Sequence, residues 1–106
     1  MAQFDDRKKA FEDKFAHDKE LQFKAGARRN KLLGLWAAEQ MGLTGDAAKS
    51  YATSVIESDF EEAGDEDVFK KVMADLKAKK VDISDHRLRK RMDELLAEAR
   101  EQLMKE

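Results

Sequence analysis

The chain has 106 residues with no cysteine and no proline, and 42% of it is charged, yet the formal net charge is only −2. That length holds one small domain with a modest core, the missing cysteines exclude disulfides and thiolate metal sites, and the near balance of charge argues against a nucleic-acid binder. No apolar run approaches the roughly 20 residues that cross a bilayer, and the acidic start Met1-Ala2-Gln3-Phe4-Asp5-Asp6 has neither the basic nor the apolar region of a signal peptide, so the chain reads as soluble and intracellular. The charge is unevenly spread: residues 1–31 carry a net +3, residues 32–69 a net −8 and residues 70–106 a net +3. Basic and acidic helix faces can pair inside a bundle, and an acidic middle can also steer a partner.

The first segment is almost wholly charged apart from a thin aromatic stripe. Phe4, Phe11 and Phe15 stand seven and four residues apart, which places their rings on one narrow face of a helix. A stripe so thin buries too little area to hold an isolated helix, so it needs a groove in this chain or in another protein. The first helix is expected to run from near Asp5 to Met41, with Gly26 as its weak joint and candidate hinge, because an internal glycine costs about 1 kcal/mol relative to alanine. Its apolar face is Leu32, Leu33, Leu35, Trp36, Ala37 and Met41, with Trp36 expected as a core anchor, and Gly42 is placed as the residue that ends it.

Thr44 reads as the cap of a second helix whose inward set is Ala48, Tyr51, Ala52, Val55, Ile56 and Phe60, ending at Gly64. Asp65 is expected to cap a third, whose face Val68, Phe69, Val72, Met73 and Leu76 is a clean three-four repeat. After the connection Lys79-Lys80-Val81-Asp82-Ile83, Ser84 caps a fourth helix, with Ile83 and Leu88 spaced as a hydrophobic staple. Leu88, Met92, Leu95, Leu96, Ala99 and Leu103 form its inner side. The expected fold is all-α, a small four-helix bundle (residues 20–106) preceded by a charged, amphipathic, mobile N-terminal segment (residues 1–19).

Chemistry is sparse. Ser84-Asp85-His86 holds the residue types of a triad, but three neighbours at a helix start cannot meet as a triad requires. Asp59 to Gly64 resembles a calcium loop only superficially, since Lys70 stands where the bidentate glutamate belongs. His17 and His86, the two imidazoles, are too far apart in sequence for a two-histidine helical site, and no glycine-rich phosphate loop is present, so neither a metal nor a cofactor is expected. Arg28, Arg29 and Lys31 are candidate ligands for a nucleotide phosphate, and His17 is a candidate pH sensor, because an ordinary imidazole titrates near pH 6.5.

The stretch from Phe23 to Glu39, with its core Arg28-Arg29-Asn30-Lys31-Leu32-Leu33-Gly34-Leu35-Trp36, resembles the signature of the alphaproteobacterial ATPase-inhibitor zeta-subunit family. Phe4-Asp5-Asp6-Arg7, Lys14-Phe15-Ala16-His17-Asp18 and Ala63-Gly64-Asp65-Glu66-Asp67-Val68-Phe69 are similar to it as well, so the resemblance spans nearly the whole chain; Gly26 departs from it. The resemblance implies a non-enzymatic four-helix regulator that binds the F1 sector of the ATP synthase and inhibits ATP hydrolysis. It implies that residues 1 to about 19 are the inhibitory segment, wedged between catalytic alpha and beta subunits near the gamma subunit. Phe4, Arg7, Lys8, Lys9, Phe11, Lys14 and Phe15 are then the contacts: an ordering helix uses i, i+4, i+7 anchors, and cations add capture and register. The same reading makes the free chain a monomer, without membrane insertion, located in the cytoplasm and held at the inner membrane through F1. The alternative from another class is a self-contained bundle that binds ATP or ADP.

Overall fold

A computed structural model of the chain describes residues 13–14, 17–58 and 65–106. Among the described residues there are four helices and no strand: α1 (Lys19–Gln40), α2 (Gly45–Ser58), α3 (Asp65–Ala78) and α4 (Asp85–Lys105). This is the expected all-α four-helix fold. Phe4, Arg7, Lys8, Lys9, Phe11, Phe15, Phe60 and Gly64 lie outside the described residues.

The first helix does not run unbroken from the N-terminal segment, as the sequence suggests. Asp18 takes an extended conformation (φ −106°, ψ 105°), and its side chain accepts from the backbone N–H groups of Glu20 and Leu21. Its own N–H donates to Lys14 O at 2.9 Å, closing the turn before it. The chain therefore changes direction at Asp18, where a carboxylate at the positive end of α1 satisfies two otherwise orphaned donors. Gly26, by contrast, lies inside continuous helix, and a Cβ built on it meets nothing within 4 Å. With space available and helical backbone already in place, Gly26→Ala is expected to stabilise the fold by about 0.5–1 kcal/mol, read as a raised urea midpoint.

The ends of the helices follow their local chemistry. Gly42 has φ +77° and donates to Glu39 O, while Leu43 donates to Ala38 O at 2.8 Å, a Schellman ending that hands the chain to α2. The same pair of bonds ends α3, from Lys80 to Lys77 O and from Val81 to Leu76 O, but there the left-handed position is held by a lysine at φ 61°. Asp65 is the first residue of α3, one position further in than its expected capping place. Ser84 caps α4 by accepting from Arg87 N, and the staple forms, with Ile83 and Leu88 both in the core.

α1 is the central helix, packed most extensively on α2 and α4 and also touching α3. The core joins Leu33 and Ala37 of α1, Val55 of α2, all five inward residues expected on α3, Ile83 of the connection, and Leu88, Met92 and Leu95 of α4. α1 and α2 approach closely at Gly34, where a Cβ would stand 2.5 Å from Ala52 Cα.

Candidate functional site

The basic run at the middle of α1 does not form one exposed patch. Arg29 is only 3% exposed, although Arg29 and its neighbours read as a surface cluster in sequence. Its Nε donates to Asn30 Oδ1 at 2.7 Å and its Nη2 to Asp65 Oδ1 at 2.7 Å, with Asn30 itself fully buried. A guanidinium can be buried only where its donors are matched, and here α3 supplies the matching carboxylate from its first turn, a favourable place for a negative charge. Arg28 turns the other way and bonds Gln102 and Glu106 at the end of α4. Lys31 points to solvent. The three candidate phosphate ligands thus divide between a buried tie to α3, a tie to α4 and an exposed side chain.

The Arg29 to Asp65 pair is unequal: the arginine is buried, whereas the Asp65 side chain is 64% exposed. Removing the carboxylate strands a buried cation, while removing the cation leaves a carboxylate that water already reaches. Asp65→Ala is accordingly expected to lower stability by about 1.5 kcal/mol, and Arg29→Met by a similar amount, because it takes the Nε donor from the buried Asn30 Oδ1. Urea denaturation of the two variants and of their combination measures the coupling.

Lys14 and His17, the described residues of the N-terminal segment among the candidate sites, are helical and exposed. A second polar cluster joins α2 to α3: Tyr51 Oη donates to Asp75 Oδ2 at 2.8 Å, and Lys71 Nζ approaches the same oxygen at 3.1 Å. Burial, followed by the bond to the Asp75 carboxylate, holds the Tyr51 hydroxyl well above the usual tyrosine range. This cluster fastens two helices and presents no nucleophile.

Trp36, expected as a core anchor, sits at the edge of the core, partly buried and packed against it. Its outer side faces α4 across an open depression of about 450 Å³ lined by Trp36, His86, Arg87, Lys90, Arg91 and Glu94. The Arg91 guanidinium lies 5.7 Å from the indole centroid. The expected signal for this groove is present in the sequence, since residues 87, 90, 91 and 94 share one helical face, but its aromatic wall comes from a helix fifty residues away. Among the described residues no group of three metal-binding side chains occurs, and no helix is long and apolar enough to cross a membrane.

What these features define, among the described residues, is a helical module in which charged and polar side chains tie helices together. The chain belongs to the ATPase inhibitor subunit zeta family, whose model matches residues 1–102. A protein with a solution NMR structure is 50% identical over 80% of this chain and 96% of its own, with a TM-score of 0.71. No curated protein matches the chain significantly.

Proposed function

We propose that the chain inhibits ATP hydrolysis by the F1 sector, inserting residues 1–19 as a helix at a catalytic alpha/beta interface beside the gamma subunit while the bundle stays outside. The observation that carries this reading is the family match, which includes the N-terminal segment as well as the bundle. It is supported by a core that the four described helices close among themselves, from Ala25 to Ala99. Phe4, Phe11 and Phe15 are the anchors in this reading, and Arg7, Lys8, Lys9 and Lys14 guide capture by acidic surfaces. The break at Asp18 gives the segment a place to turn away from α1, and the exposed His17 beside it is the candidate for proton-dependent control. The protein would act in the cytoplasm, as a monomer when free, held near the membrane only through F1, and without catalytic residues of its own.

Binding of ATP or ADP through Arg28, Arg29 and Lys31 would have to displace Asp65 from a buried guanidinium, so inhibition is the reading adopted. It is tested by ATP hydrolysis on isolated F1 with the full chain and with a chain lacking residues 1–19, whose fold is checked by circular dichroism. The shortened chain is expected to fold and not to inhibit; full inhibition by it would sink the proposal.

A further inference from the structure

Four of the six residues lining the groove between α1 and α4 carry a basic nitrogen function, His86, Arg87, Lys90 and Arg91, against the single carboxylate of Glu94. Neither Arg87 nor Lys90 forms an ion pair with a described residue. This sets them apart from Arg89 on the neighbouring face of α4, which pairs with Glu66 and stacks on Phe69 with its guanidinium carbon 3.9 Å from the ring centroid. Arg91 is incompletely used: its Nη1 reaches Glu94 at 3.5 Å, the limit of a hydrogen bond, and its Nε is buried without a partner. The Arg91 side chain is 38% exposed, so its terminal nitrogens, and not the buried Nε, are the donors a planar carboxylate in the groove would meet.

We infer that this groove is a second docking site, taking an acidic, extended segment on the surface of F1, with its carboxylates along Arg87, Lys90 and Arg91 and an apolar side chain against Trp36. The inference rests on the proposed function for the identity of the partner and adds where the bundle holds it. Residues 87, 90 and 91 span a little more than one helical turn, about 6 Å along α4. Cations spread over that length match a row of carboxylates better than one compact anion. The openness of the groove and its indole edge fit the anatomy of a protein interface, where tryptophan and arginine are enriched among residues that matter energetically. Docking here would hold the bundle near F1 and raise the effective concentration of the N-terminal segment at its own site.

The test uses the full chain and isolated F1. Arg87→Glu combined with Lys90→Glu changes two exposed side chains and leaves Trp36 in place, with Lys49→Glu combined with Lys77→Glu as the control for net charge. The groove variant is expected to bind F1 at least about tenfold more weakly at low salt, mainly through slower association, and to lose part of its salt dependence, while the control binds as the parent does. Equal affinities for parent and groove variant would overturn the docking site while leaving inhibition standing. A parent chain that neither binds nor inhibits F1 would overturn both. Inorganic phosphate is the competing probe: a saturable change of Trp36 fluorescence on adding phosphate, abolished in the groove variant, would make the groove a small-anion site and overturn the inference, and its absence supports a macromolecular acid. Self-association of the parent that disappears in the groove variant would reassign the site to a second copy and likewise overturn it.

Discussion

Gly34→Ala is expected to lower the stability of the bundle by about 2 kcal/mol, although alanine is the better helix former. The added methyl group would stand 2.5 Å from Ala52 Cα, 3.0 Å from Ala52 Cβ and 3.3 Å from Val55 Cγ2. The nearest of these atoms is backbone, so no side chain can rotate away to relieve the contact. Helix α2 must move outward or tilt, which opens gaps around Val55 and Leu33, both fully buried. Overpacking of this kind costs about 1–3 kcal/mol or more, against which the helix gains about 1 kcal/mol from losing a glycine. Gly26→Ala supplies the internal control. It sits in the same helix and gains the same propensity term, but its new methyl group meets open space. The two variants should therefore move the thermal midpoint in opposite directions, Gly34→Ala downward by about 10 °C and Gly26→Ala upward by a few degrees. If both moved upward, the close approach of α1 and α2 would not be holding the bundle together.

The same helix shows why parts of this fold were legible in sequence and others were not. α3 and α4 bury large apolar side chains at regular three-four intervals, so the repeat of Val68, Phe69, Val72, Met73 and Leu76 marks its own inner face. The buried line of α1 is different: Ala25, Arg29, Asn30, Leu33, Gly34, Ala37 and Ala38. Small and polar residues dominate it because a central helix meets its neighbours closely, and hydropathy patterns give such residues little weight. Leu32, Leu35 and Trp36 look like the inner face in sequence but lie only partly buried on its flank. The burial of Arg29 depends on Asp65, a residue in another helix, so no local pattern announces it. Asp18 was hidden for a related reason. A capping aspartate stands out before an apolar run, but here it is one carboxylate in a segment full of them, with Leu21 at the position where a capping box would have glutamate. The groove at Trp36 was half legible, as a basic face on α4 whose aromatic wall is supplied only by tertiary packing.

The largest functional effect is expected from the first segment, where Phe11→Ala together with Phe15→Ala should weaken inhibition of F1 by about a thousandfold. In the proposed mode these two rings stand one helical turn apart and enter the same groove as neighbouring anchors. A buried aromatic anchor at an interface contributes about 2 kcal/mol or more on truncation, and about 4 kcal/mol for two corresponds to roughly three decades in affinity. Coupling between adjacent rings makes the pair deviate from a simple sum, so the single variants belong in the same series. The cations should behave differently. Replacing Lys9, which does not share the aromatic face, should slow association and reduce salt dependence while leaving dissociation little changed. In the proposed mode the two rings pack on F1 and not on the bundle, so the phenylalanine variants should keep the parent's thermal midpoint. That separation is the decisive readout, measured as the concentration giving half inhibition of ATP hydrolysis beside the melting curve of the same sample. Loss of inhibition with an unchanged midpoint places the defect in the contact with F1. Loss of both together would mean that the rings belong to the bundle's own core, and the inserting segment would have to be sought elsewhere in the chain.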